Sequence, residues 1–175
     1  FFDQILSQTT PCEKIIFIND GDSAISKEKI LKYSNKIQYI DNLTNKGINY
    51  SIKHALNYVD TEFVKIMSID DIFTKSHVSN SLNLLLKNKD VMMSFTNPGH
   101  YILNQKEYID YDFNLSNNDK FFEKNEFKKL YKLKTFKIFS NSVFFRTSIL
   151  KKFSFCFNNI FSKYADQILN TLIAL

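Results

Sequence analysis

The sequence predicts an α/β fold with a Rossmann-like, mostly parallel sheet flanked by helices. Short β-branched and aromatic runs alternate with amphipathic stretches through the first half of the chain. Because strands joined by helical crossovers pair in parallel, this alternation predicts helices on both faces of the sheet. Acidic and turn residues follow the predicted strands, at the sheet edge where open α/β sheets bind ligands. With 175 residues, the chain has the length of one domain.

The first elements have clear beginnings and ends. Residues 1–8, FFDQILSQ, predict a helix with one apolar face, which Pro11 ends. The run KIIFIND then predicts a strand stopped by an Asn-Asp-Gly turn. Residues 26–35 predict a second helix, with Ser26 as its N-cap, and residues 37–41, IQYID, predict a second strand.

A third strand is predicted between two longer helices in the sequence. Residues 48–59 and 76–88 have helical apolar periodicity, and the strand between them, FVKIMSI, runs into Asp70-Asp71. The positions expected to face the core are Ile48, Ile52, Ala55, Leu56 and Val59 in the first helix and Val78, Leu82, Leu85 and Leu86 in the second.

The second half of the chain is less regular. VMMSF at residues 91–95 predicts a strand, and SNSVFFRTSIL at residues 140–150 predicts a strand that leads into a helix. Residues 163–175 predict a final amphipathic helix. Between these elements, residues 100–135 alternate aromatic side chains with Asp, Asn and Lys and give no clear period.

The composition limits the class of protein. The net charge of +5 is almost all from Lys, and the densest cluster, in residues 128–137, is a solvated face or a surface for an anionic membrane or a phosphorylated acceptor. A single Arg argues against nucleic-acid binding. Cys12 and Cys156 share no CxxC motif, which favours reduced thiols in a cytoplasmic protein. Neither a transmembrane run nor a signal peptide is visible.

Asp70-Asp71 is the strongest candidate for chemistry. Adjacent carboxylates at a strand end repel each other and are stabilised by a cation. Mg²⁺ and Mn²⁺ prefer such oxygen ligands and complete their coordination with water or phosphate. The structural alternative is an acidic pair that caps the following helix, and the spacing alone does not decide between the two.

The other candidates each have a structural alternative. Asp20-Gly21-Asp22 and Asn45-Lys46-Gly47 form turns or loops that approach a nucleotide. His54 lies on a predicted helix and is expected to be a satisfied surface or boundary residue, whereas His100 follows a turn and is kept as a candidate. Asp166 opens the last helix, where it interacts with the helix dipole or serves as a general base.

The order of these motifs resembles family 2 glycosyltransferases, which have the GT-A fold. The family's strand followed by Asp-Asp-Gly-Ser is matched by KIIFINDGDS, with Asn19 in the first acidic place and Asp22 inserted. Its Asn-x-Gly before a helix corresponds to Asn45-Lys46-Gly47, and its Asp-Ala-Asp-Asp to residues 68–71, SIDD. Its Arg-x-x-x-Leu element corresponds to FFRTSIL, and its late Glu-Asp to Ala165-Asp166.

The resemblance implies one catalytic domain over residues 1–175, with a nucleotide-sugar-binding half (1–95) and an acceptor-side half (96–175). It implies an inverting enzyme that transfers a sugar from a nucleotide-diphosphate donor, UDP-sugar favoured, to a glycan or lipid-linked acceptor in surface polysaccharide synthesis. Asp70 would ligate Mn²⁺ or Mg²⁺, and Asp166 would be the catalytic base. The residues expected to bind the nucleotide sugar are Asp20, Gly21, Asn45, Gly47, Ser68 and Asp71.

Departures from the family pattern leave alternatives open. Ser68 and Ala165 each replace an acid, which favours a degenerate sugar-binding module of a larger assembly. A nucleotidyltransferase shares the acidic metal site but has a glycine-rich loop that is not visible. The family's first strand is also missing, so this segment alone is expected to bind donor poorly. A cytoplasmic protein, with peripheral contact to the inner membrane, is expected.

Overall fold

The secondary structure follows the predicted order, with shorter elements. A computed structural model describes residues 1–96, 99–102, 107–110, 122–123, 125–126, 129 and 142–158. The helix predicted at 163–175 and most of the lysine cluster lie outside these residues. The elements are α1 (Phe2–Leu6), β1 (Ile15–Asn19), α2 (Lys27–Leu31), β2 (Ile37–Asp41), α3 (Ile48–Leu56), β3 (Phe63–Lys65), α4 (His77–Lys87), β4 (Met93–Phe95), β5 (Gly99–Ile102), β6 (Glu107–Asp110), β7 (Val143–Arg146), α5 (Thr147–Lys152) and a 3-10 helix (Ser154–Phe157).

The parallel crossover predicted for the first half is confirmed for β1 and β2. The two strands pair in parallel from Ile15 opposite Ile37 to Asn19 opposite Asp41. The connection between them contains α2, whose predicted N-cap Ser26 accepts a hydrogen bond from the Lys29 amide at 3.3 Å. Because the register is unshifted, both strands end side by side at one edge.

The remaining sheets are antiparallel, so the described sheets are mixed rather than mostly parallel. Strand β7 lies between β3 and β4 and pairs antiparallel with both. Strands β5 and β6 form an antiparallel pair in the segment where the sequence predicted no element. The α/β class is confirmed, and the C-terminal half contributes the central strand of the second sheet.

Alternate residues of β1 face two different cores, which explains the helices on both sides. Phe17 lies in a cluster with Phe2 of α1 and Ile37 of β2. The neighbouring Ile16 packs on the other face, against a cluster that includes Leu56 of α3 and Leu150 of α5. Since successive side chains of a strand point to opposite faces, the continuous apolar run IIFI is the pattern of a strand covered on both sides.

Two predicted core assignments and the end of one predicted strand are wrong. In α3 the buried residues are Asn49 and Leu56, and Ile48 is 64% exposed because it lies one position outside that face. In α4 the buried residues are Ser81 and Leu85, so Leu86, turned about 100° away from Leu85, is 58% exposed. Strand β3 also ends at Lys65 and does not reach Ile69. Among the described helices, none is long and apolar enough to cross a bilayer.

Arg146 ties β7 to the end of α4 and to β4. Its guanidinium donates to the carbonyl oxygens of Leu85 (2.8 Å), Asn88 (3.3 Å) and Val91 (2.8 Å). The Leu85 carbonyl belongs to the last turn of α4, where helix carbonyls lack partners within the helix. The guanidinium also lies 5.1 Å from the centre of the Phe63 ring. The Arg-x-x-x-Leu element of the resemblance is therefore structural in this chain.

Replacing Arg146 with Met is expected to lower the free energy of unfolding by about 3 kcal/mol. The loss comes from the backbone carbonyl oxygens left without donors, of which those of Leu85 and Val91 are partly buried. The ion pair with Glu62 contributes little, because the Glu62 side chain is 67% exposed. Urea unfolding measures the change, with the exposed Lys32→Met as the control for loss of a positive charge. A loss no larger than that of the control would contradict this role.

Candidate functional site

The carboxylate of Asp20 binds the loop that follows β2 and the start of α3. Its Oδ1 accepts from Asn42 Nδ2 at 2.8 Å and from the Lys46 amide at 3.0 Å. Its Oδ2 accepts from the Gly47 amide at 2.8 Å. The predicted residues Asp20, Asn45 and Gly47 are thus brought together at the carboxyl edge of the parallel sheet, as Asn45 Oδ1 also accepts from the Gly47 amide at 3.1 Å.

These hydrogen bonds keep Asp20 ionised. Burial on its own would raise the pKa of Asp20, but hydrogen bonds from Asn42, from the Lys46 and Gly47 amides and from Ser51 outweigh it and lower the pKa. The site therefore contains a fixed negative charge at neutral pH.

Gly21 is required by a close approach, and Gly47 by backbone conformation alone. Both have a positive φ, of 82° and 86°, a region that favours glycine. A Cβ on Gly21 would lie 2.4 Å from the Asn45 nitrogen and 2.5 Å from the Thr44 carbonyl carbon, whereas a Cβ on Gly47 would meet nothing within 4 Å. The loop after β1 and the loop after β2 therefore touch at Gly21.

The loop after β2 is strained at Leu43. This residue has a φ of 59°, and the Thr44 amide donates to the Asn42 carbonyl at 2.6 Å across it. The arrangement is a three-residue turn of a rare and strained kind, which costs about 1–3 kcal/mol in a residue other than glycine. Leu43 is 83% exposed, so no burial of its side chain offsets that strain. The hydrogen bonds of its neighbours must hold the loop.

Asn42 is the centre of these hydrogen bonds. Besides its bond to Asp20, its Nδ2 donates to Ser51 Oγ at 2.9 Å, and its Oδ1 lies 3.0 Å from His54 Nδ1. In the sequence, Asn42 is only the residue that ends the second predicted strand, and His54 is expected to be a surface or boundary residue. A signal was available in the spacing, because Ser51 and His54 are three residues apart and share one face of α3.

Asn19 explains the inserted Asp22. The side chain of Asn19 is buried, donates to the Asp22 carbonyl at 2.9 Å and accepts from the Asp22 amide at 3.0 Å. An Asp in this position could accept but could not donate, and would repel the carbonyl oxygen. The amide at position 19 and the extra residue therefore suit each other, and Asn19 supports the turn.

Asp70 and Asp71 have different environments. Asp70 is exposed and lies in a turn, not at the buried strand end that the sequence predicted. Asp71 accepts from the Ser68 amide at 3.0 Å and so fastens its own turn. Helix α4 begins later, with Ser76 as its N-cap, so the helix-capping alternative for this pair is not realised. No hydrogen bond among the described residues joins the pair to the Asp20 group.

A partly buried basic pair lies behind this turn. Burial lowers the pKa of Lys65 to about 8, although the charge of Asp71 opposes the shift. Burial also lowers the pKa of His77 to about 4, with a further contribution from Lys65. His77 is therefore neutral at pH 7. The positive charge of Lys65 interacts with the Asp71 carboxylate, and no sequence pattern predicted this interaction.

A cleft lies at the opposite edge of the parallel sheet. It has a volume of about 490 Å³ and is open and polar, and its lining includes Lys14 and Lys36, which precede β1 and β2. Lys14 donates to Asp60 and to the Tyr58 carbonyl, and Lys36 to the Cys12 carbonyl. These lysines thus hold the amino ends of the strands, and none of the predicted site residues lines this cleft.

Comparison with known proteins identifies the family. The family model of glycosyl transferase family 2 matches residues 1–153. The chain belongs to glycosyl transferase family 2. The resemblance seen in the order of motifs is confirmed, and with it the GT-A fold class.

The chain is also 27% identical, over 108 residues, to an uncharacterized glycosyltransferase of Rickettsia prowazekii (strain Madrid E). That alignment covers 61% of this chain and 33% of the relative, so the chain spans about a third of the protein that it matches. The family match ends before Asp166, which also lies outside the described residues, as does the side chain of His100. The role of Asp166 stays a prediction.

Two glycine substitutions are expected to differ in their effect on stability. Gly21→Ala combines positive φ with a clash against the backbone of residues 44 and 45, so we expect a loss of about 3 kcal/mol or more. Gly47→Ala retains the amide that binds Asp20 and meets open space, so we expect about 1–2 kcal/mol. Urea unfolding of both variants measures the difference, and equal losses would contradict the close approach of the two loops.

Proposed function

We propose that the chain is part of an inverting glycosyltransferase that uses a nucleotide-diphosphate sugar, with UDP-sugars favoured. The acceptor is a glycan or a lipid-linked sugar in surface polysaccharide synthesis. Family membership supports the reaction class. The observation that carries the donor assignment is the ionised Asp20, held at the carboxyl edge of the sheet where α/β folds bind nucleotides.

The Asp20 carboxylate is ordered by hydrogen bonds before a nucleotide sugar binds. A carboxylate offers about four acceptor positions on its two oxygens. The described amide donors place two bonds on Oδ1 and one on Oδ2. The Ser51 hydroxyl is a fourth partner of the carboxylate, and a base N–H or a ribose hydroxyl of the nucleotide would take its place. Because these hydrogen bonds fix the Asp20 carboxylate before the nucleotide sugar binds, little ordering of the Asp20 side chain is needed on binding.

Asp70 is the residue that would hold a divalent cation. Its carboxylate is exposed and has no partner among the described residues, and those residues include no cluster of three or more His, Cys, Asp or Glu side chains. Such a site fits Mn²⁺ or Mg²⁺ bound through one carboxylate and the donor diphosphate. When bound, the cation would stabilise the charge of the leaving diphosphate.

The remaining predicted residues have supporting roles in this proposal. Asp71 holds its turn through the Ser68 amide and so orients Asp70, while Ser68 lies beside the donor. Gly21, Asn45 and Gly47 allow the loops to approach the nucleotide. Asp166 would deprotonate the acceptor hydroxyl as the general base. A cytoplasmic location with peripheral contact to the inner membrane belongs to the same proposal.

Two substitutions in the full-length protein test this assignment. Asp70→Asn is expected to weaken Mn²⁺-dependent UDP-sugar binding by more than about a hundredfold, because the cation loses its charged ligand. Asp166→Asn is expected to leave binding intact and to lower transfer by about 10²–10⁴-fold. Isothermal titration and donor turnover give the two quantities, with the exposed Asp90→Asn as the control for loss of a carboxylate.

The outcomes separate the competing functions. Retained metal-dependent binding in Asp70→Asn would contradict the metal assignment. Undiminished transfer in Asp166→Asn would mean that the base lies elsewhere. Donor binding without turnover in the unmodified full-length protein would favour the degenerate sugar-binding module.

A further inference from the structure

The geometry points to His54 and Asn42 as a positioning pair for the proposed donor site: His54 orients Asn42, and Asn42 orients Asp20. The inference rests on the proposed function only in its last step, the contact between Asp20 and the donor. Asn42 lies in the loop after β2, and His54 lies on α3. Neither residue is expected to touch the reacting atoms.

The direction of each hydrogen bond follows from the charge of Asp20. A carboxylate can only accept, so the atom of Asn42 at 2.8 Å from Asp20 Oδ1 must be the Nδ2 donor. The Asn42 oxygen then faces His54 Nδ1 at 3.0 Å. Because that oxygen can only accept, His54 must have its proton on Nδ1. The histidine is thus a donor to Asn42 whether its ring is neutral or protonated.

His54 is itself held by Tyr50 on α3 and by Tyr58 in the turn that follows the helix. Its ring lies 5.8 Å from the ring of Tyr50 and 5.6 Å from that of Tyr58, one helical turn before and after it. Tyr50 and Tyr58 are both partly exposed, so these contacts orient the histidine without burying it. The helix therefore presents Nδ1 to the loop in a fixed direction.

The loop needs this anchor because it is strained. Asn42 directly precedes Leu43, with its φ of 59°, and the Lys46 and Gly47 amides that bind Asp20 lie at the other end of the same loop. Without the His54 bond, Asn42 could rotate and the strained turn could relax. Asp20 would then lose one donor and the alignment of two others.

Two substitutions of His54 separate the hydrogen bond from the ring. His54→Phe retains the aromatic contacts with Tyr50 and Tyr58 but has no donor. His54→Asn loses the ring and places an amide donor close to the position of Nδ1. In the full-length protein with a UDP-sugar and Mn²⁺, we expect His54→Phe to raise the donor KM about three- to tenfold with kcat unchanged. His54→Asn should restore KM to within about twofold.

Hydrogen exchange of backbone amides provides a readout that needs no donor. In His54→Phe, the Lys46 and Gly47 amides should exchange about three- to tenfold faster, while the Phe17 amide of β1 keeps its rate. In His54→Asn both rates should return toward those of the unmodified protein. Asn42→Asp, which places an oxygen against Asp20, should accelerate exchange at least as much as His54→Phe.

Each outcome decides one of the two claims. Unchanged Lys46 and Gly47 exchange in His54→Phe, a uniform acceleration that includes Phe17, or failure of His54→Asn to restore either readout would overturn the positioning role. Exchange that changes as expected in a protein that binds no UDP-sugar would leave the positioning pair standing and overturn the proposed function. Normal exchange effects with an unchanged KM would overturn the link from Asp20 to the donor.

Discussion

The hydrogen bonds that converge on Asp20 are the constraint on which the candidate site depends. They join the end of β1 to Asn42 in the loop after β2 and to the Lys46 and Gly47 amides that precede α3. Backbone pairing places the two strands side by side, but it does not determine the path of the loops beyond them. The Asp20 carboxylate determines the path of these loops. The close contact at Gly21 leaves the two loops little freedom to separate. The turn at Leu43 is tolerated because of this network.

The packing beneath the site stabilises the sheet edge at which the hydrogen bonds to Asp20 form. Strand β1 is covered on both faces, so its carboxyl end is held from above and below. On the other side of the core, Arg146 joins β7, α4 and β4 through backbone carbonyls. Its contribution comes from satisfied carbonyls more than from its exposed ion pair, because solvent screens the latter.

The sequence predicted the features that depend on local pattern. The strand at residues 37–41 and the N-cap at Ser26 follow from apolar period and capping chemistry. The resemblance to the family, rather than a local pattern, placed Asp20 and Gly47 in one nucleotide-sugar site. Features that depend on tertiary partners could not be predicted in this way. The antiparallel placement of β7, the exposure of Ile48 and the role of His54 are set by distant parts of the chain. The Asp20–Asn42 bond joins residues 22 positions apart, and no local pattern encodes it.

In the proposed function, the carboxyl edge of the parallel sheet, which Asp20 organises, binds the nucleotide of the donor. The most direct measurement is a crystal structure of the full-length protein with UDP and Mn²⁺. We expect an Asp20 carboxylate oxygen to lie within hydrogen-bond distance, about 2.6–3.2 Å, of a base N–H or a ribose hydroxyl. We also expect Mn²⁺ to be bound by Asp70. A nucleotide bound elsewhere, such as the polar cleft beside Lys14 and Lys36, with Asp20 contacting only its own loops, would contradict it.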